Sequence, residues 1–192
     1  MSEFPSYVQD TWGPLRAEAS WAFDAMDVAG WPQRSIQHLY RALGDDACVR
    51  AVDIESGDFG PGDVLELAPA AGVVSEEAAI AHVGAFSGEI GTLAFELLLR
   101  AYVRRVPNAP PELAWVDEGT EVTLLPGNGA MRAEARLILE HSLFRQTSPT
   151  GLANDELYRL NAPILQRLLE RFAAEFGPLV EYEGPGAVPT GF

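Results

Sequence analysis

Six large apolar residues, Leu157, Leu160, Ile164, Leu168, Phe172 and Phe176, recur at spacings of three and four. That spacing marks one face of an α-helix, and Arg159, Gln166, Glu170 and Arg171 fall on the other. A helix with one apolar stripe must lie on an apolar surface, so the rest of the chain has to supply one. Asn154 can cap its start, with Asp155 and Glu156 suited to the positive end of the helix. Pro163 predicts a kink, or a restart after Asn161, and Gly177-Pro178 closes the segment.

Further helices are predicted on similar grounds. Pro14 opens one over residues 15–28, and Pro32 opens another over 33–43 that Gly44 ends. Ser75, followed by Glu76 and Glu77, starts a helix that runs to about residue 86. Residues 89–106 are apolar on most sides and read as a buried central helix; residues 131–144 read as helical too. Residues 48–54 and 63–68 have strand character and are separated by a glycine- and proline-rich turn. Residues 113–116 and 121–125 flank Asp117-Glu118-Gly119-Thr120, a hairpin signal. Residues 1–13 read as an irregular arm and 183–192 as a tail. Helices and strand pairs come in blocks. The chain is therefore expected to be one α+β domain over residues 1–192, with antiparallel strand pairs packed against several amphipathic helices.

Charge narrows the partners. The chain carries 28 acidic residues against 13 basic ones, a net charge of −15, and every basic residue is arginine. The absence of lysine is the composition expected of a GC-rich, bacterial genome. Nucleic-acid binding needs clustered cations to neutralise phosphates. Here Arg104-Arg105 is the only adjacent pair, while residues 1–60 hold ten acids against four arginines. A protein partner, basic in character, suits such a surface better than a nucleic acid does. Cys48 is the only cysteine, so no intrachain disulfide can form. The N-terminus lacks the basic start and apolar run of a signal peptide, and no segment is long and uncharged enough to span a bilayer. A cytoplasmic location without membrane contact is expected.

Specific chemistry is thinly signalled. His38, His82 and His141 lie on three different predicted helices, and none has the local spacing of a metal motif. Folded together, they would make the one candidate metal or small-molecule site, with Glu77 or Glu140 as carboxylate ligands. Arg136 and His141, in RLILEH, resemble the short Arg-x4-His motif of the all-helical HEPN ribonucleases, whose Arg and His act on an RNA phosphate. The acidity and the strands around it argue against that activity. Cys48 follows Asp45-Asp46, which oppose thiolate formation, so it reads as a small core residue. The glycine loop at 125–132 lacks the lysine and Ser/Thr of a P-loop and reads as a turn. The acid pairs Glu76-Glu77 and Asp155-Glu156 are accounted for by the helix dipole. No cofactor is implied, and nothing requires an enzyme.

The helix at 33–43, then CVRAVDI (48–54), DVLELAP (63–69) and GVVSEEAAIAHVGAF (72–86), together resemble the core of the small acidic chaperones of type III secretion and of YbjN-type proteins. The resemblance implies a homodimeric, non-enzymatic module that binds an extended segment of a client. The functional expectation is an acidic protein-binding module: chaperone-like, adaptor or immunity-type. The alternatives are a small helical enzyme using His38, His82 and His141, and a structural assembly protein. Trp12, Trp31 and Trp115 are the candidate binding residues, because tryptophan is enriched at interaction hot spots.

Overall fold

The computed structural model describes residues 12–23, 30–56, 65–67, 72–105, 109–116, 119–127, 132–144 and 153–183. In chain order these form β1 (Trp12–Phe23), α1 (Trp31–Leu43), β2 (Ala47–Ser56), β3 (Leu65–Leu67), α2 (Glu76–Ala85), β4 (Ile90–Val103), β5 (Glu112–Val116), β6 (Thr120–Leu125), β7 (Ala133–His141), a 3-10 turn (Ser142–Phe144), α3 (Asp155–Phe176) and β8 (Leu179–Glu183). All eight strands join one antiparallel sheet in the order β3-β2-β4-β6-β7-β1-β8, with β5 also on β4. The fold is α+β, as expected from the block order of elements.

Several elements follow from their sequence signals. Pro32 lies in the first turn of α1, and Gly44 ends the helix at φ 54°. Ser75 caps α2 by accepting from the Ala78 N–H at 3.2 Å. Antiparallel β2 and β3 pair Val52 with Leu67. Gly177, at φ 95°, ends α3 with its N–H on the Ala173 carbonyl. The capping role expected of Asn154 differs: its side chain makes no capping bond, although its carbonyl accepts the Tyr158 N–H. Pro163 neither ends nor restarts α3, which runs through it with the proline on the exposed side.

Four predictions are corrected. Residues 15–28 are not a helix, since β1 covers residues 12–23 and the rest lie outside the described residues; Trp12 and Gly13 therefore belong to a strand, not to the arm. Residues 89–106 form β4, not a central helix. A run that is apolar at most positions looks in sequence like a buried helix, because periodicity alone does not separate it from a central strand. Residues 131–144 hold β7, not a helix. Finally, β5 and β6 are no hairpin. Both run antiparallel to β4, on the same edge and one after the other, with the residues around Gly119 (φ 69°) as an insertion between them.

The helices cover one face of the sheet. Alternate residues of β4 (Leu93, Phe95, Leu97, Leu99, Ala101 and Val103) are buried beneath them, as are Val49, Val52 and Ile54 of β2 and Leu137 and Leu139 of β7. The apolar stripe of α3 reaches the core through Phe172, 4.9 Å from Trp21 between ring centres, and through Phe176, 5.1 Å from Phe23. Ionic contacts join α3 to α1 and to the start of β2. Arg167 and Arg171 both bond the carboxylate of buried Asp46, and Arg171 also donates to the Ala42 and Leu43 carbonyls that end α1. Glu175 accepts from Arg41 and pairs with His38 Nδ1 at 2.9 Å.

Candidate functional site

The other face of the sheet is where charge collects. Strand alternation that buries the odd residues of β4 turns Glu96 the opposite way, and register carries that face across the strands. Glu18 pairs with Ile138, Ile138 with Glu121, and Glu121 with Glu96. On the far side of Glu96 a bulge in β2 sets Arg50 beside Ala51, and Arg50 reaches Glu96 at 3.5 Å. One row across four strands thus carries three carboxylates and one isoleucine.

Two hollows open on this face. The larger, about 420 Å³, is lined by Arg50, Glu96, Glu121, Ile138 and Glu140 and by the backbone turn at Gly119 and Thr120. The Glu140 N–H bonds the Gly119 carbonyl at 2.7 Å, which fixes that turn against β7. The smaller, about 130 Å³, is lined by Glu18, Ser20, Glu134, Arg136 and Glu181. Six glutamates and two arginines therefore line the pair. Arg136 is held 2.9 Å from both Glu134 and Glu18. The bond to Glu134, with the nearby charges of Glu134, Glu18 and Glu181, outweighs the cost of desolvation and holds the guanidinium more firmly protonated than usual.

Cross-strand neighbours Glu96 and Glu121 are like charges directly opposite one another, which destabilises a sheet. Thr123 Oγ1 donates to Glu121 Oε1 at 2.9 Å, and the Arg50 contact relieves Glu96 in part. Carboxylates so arranged can accept hydrogen bonds from guanidinium or ammonium groups, and they repel anions. Beyond them the face turns aromatic. Trp115 on β5 lies opposite Arg100 of β4, and its neighbour on the same side, Leu113, is 41% exposed.

The residues singled out from sequence are scattered. Trp31 is buried in the core. Trp12 pairs by its backbone with His141 at one end of β1 and β7, and both side chains lie outside the described residues. Only Trp115 is placed, half-buried, on the charged face. His38 is engaged by Glu175 and Arg41, while His82 sits on α2. Among the described residues no three His, Cys, Asp or Glu side chains stand close enough to hold a metal ion. Burial pushes the Cys48 thiol up, away from the reactive thiolate. Arg136 lies on a strand, so RLILEH has lost the helical setting that its resemblance to the HEPN ribonucleases requires. No helix among the described residues is long and apolar enough to cross a membrane.

Of Glu96, Glu121 and Glu140, only Glu140 was a sequence candidate, as a carboxylate ligand beside the histidines. Two of them fall in segments read as helices, where they do not share a face. The alternation of Ala133, Ala135, Leu137 and Leu139 with Glu134, Arg136, Ile138 and Glu140 is the signal that finds this face. Comparison with family models, with curated proteins and with solved structures finds no match to this chain.

Proposed function

We propose that this protein is an acidic, non-catalytic protein-binding module, and that the sheet face left open by the helices receives a basic segment of a partner protein. What supports the reading most is the cross-strand row in which Glu18 of β1, Glu121 of β6 and Glu96 of β4 line up with Ile138 of β7, Glu96 and Glu121 being directly opposed. A surface selected for stability alone gains nothing from opposed like charges. A partner's arginine or lysine between them turns that repulsion into attraction and speeds encounter through the long-range field.

The test is affinity capture followed by titration with the captured partner. The triple variant Glu96→Gln/Glu121→Gln/Glu140→Gln should bind at least about tenfold more weakly than the parent, with a shallower salt dependence, since rim charges act mainly through steering and screening. A partner bound equally well by both proteins would sink the reading. So would turnover of a small substrate with no partner recovered.

A further inference from the structure

Register around β4 fixes which edge of β5 has no paired strand among the described residues. The Arg100 N–H bonds the Asp46 carbonyl at 2.8 Å, and the Tyr102 N–H and carbonyl both bond the side chain of Asn161. The even residues of β4 therefore direct their backbone groups toward β2, and Leu99, Ala101 and Val103 direct theirs toward β5. Their partners Val116, Ala114 and Glu112 are thereby satisfied. Leu113 and Trp115 turn their N–H and carbonyl groups the other way, and among the described residues no strand pairs with that edge.

The strand that would lie there is β7. It runs beside β6 from Leu125 back to Thr120, where Thr120 pairs with Leu139. β7 then stops at His141, and the chain turns through Ser142–Phe144 to bury Leu143, whose carbonyl accepts from Asn161. Beside β5 the next strand position is therefore vacant among the described residues. The larger acidic hollow, with Glu121 and Glu140, adjoins the inner end of that position. Exposed Leu113 and half-buried Trp115 flank it on the open face.

We infer that the partner segment binds as an added strand. It extends along the outer edge of β5, antiparallel to it and in line with β7, and sets a basic side chain toward Glu121 and Glu140. The inference rests on the docking reading above and adds a mode and a location to it. Unpaired strand edges are templates for strand addition, with backbone bonds supplying affinity and alternate side chains supplying specificity. The occupant is basic because the vacant position leads into carboxylates. A second copy of this chain, at −15, would bring like charge to the same edge.

The probes are a short capped peptide of alternating arginine and valine and two N-methylated counterparts, each methylated on one alternating set of peptide nitrogens. All three carry the same charge. Strand addition predicts that one counterpart, blocked toward β5, binds at least about tenfold more weakly, while the other keeps its affinity, because only one set of N–H groups pairs. Hydrogen exchange should slow at the Leu113 and Trp115 amides on binding of the parent peptide. Glu121→Gln should weaken the parent peptide and the retained counterpart alike. Equal affinity of all three, or protection confined to β6 and β7, overturns strand addition and leaves the docking reading standing. No binding by any of them overturns both.

Discussion

Asn161 shows how much one side chain can hold. It is fully buried on α3, yet its amide accepts from the Tyr102 N–H at 2.7 Å and donates to the Tyr102 and Leu143 carbonyls at 2.9 and 3.2 Å. It does for Tyr102 what a neighbouring strand would do, at the point where β2 has already ended. Asn161→Ala leaves those backbone groups without a partner, and urea denaturation should show a loss of about 3 kcal/mol. Gly44 is constrained twice. Its φ of 54° strains any L side chain, and an added Cβ would sit 3.0 Å from Arg171 Nε, which caps α1. Gly44→Ala is expected to cost about 1–2 kcal/mol in the same assay. Asp46 makes stability depend on pH. Burial alone would raise its pKa, but the hydrogen bonds and charges of Arg167 and Arg171 overcome burial and set it below the usual aspartate value. With the folded pKa below the unfolded one, the stabilisation is complete above the ordinary aspartate range and is lost as pH falls through the folded value. The stability gap between parent and Asp46→Asn should thus be widest near neutral pH and should narrow on acidification.

At the scale of elements, period outranks composition. β7 is rich in Ala, Glu, Arg and Leu, all good helix formers, so propensity alone reads it as helical, and in β1 Pro14 reads as a helix start. Their alternation is nonetheless that of strands with one face in the core: Ala19 and Trp21 against Glu18 and Ser20, Leu137 and Leu139 against Arg136 and Glu140. β4 gives no such signal, because helices cover one of its faces and Leu98 is fully buried on the other. The β5–β6 segment carries a turn signal that is real, since Gly119 has positive φ, but the signal produces an insertion within one line of strand and not a reversal. Opposed charges on β6 and β4 yield a prediction of unusual sign. Glu121→Gln should stabilise the protein by a few tenths of a kcal/mol at low ionic strength, read as a rise in the urea midpoint. A fall in the midpoint would mean that the Thr123 bond outweighs the repulsion.

For the molecule as a whole, the decisive quantity is net charge. At −15 the compact state repels itself, whereas the individual surface ion pairs that salt would weaken are each worth little; Arg50 and Glu96, for example, are 3.5 Å apart and largely exposed. Screening the repulsion should therefore win. Raising salt from about 0.01 M to about 0.15 M shortens the Debye length from about 30 Å to about 8 Å, and the thermal midpoint should rise by a few degrees. A fall would show that local pairs dominate. Under the proposed function, the same field attracts a cationic partner from any direction, and the single-sided cover of the sheet sets where it docks.

The sequence by itself determined a mixed α+β chain, the positions of α1, α2 and α3, the β2–β3 pair and a strongly acidic net charge. Those features rest on local physics: a capping serine, a proline in a first turn, glycines at positive φ and an apolar stripe at helical spacing. Only the tertiary structure decided that residues 90–103 and 133–141 are strands, that Trp31 is core, and that His38 is bound to Glu175. It also decided that the acids on β1, β4, β6 and β7 form one surface. Each glutamate is a local fact, but the row they make is set by cross-strand register. Register follows from long-range pairing between segments more than a hundred residues apart in the case of Glu18 and Ile138, which no local pattern encodes.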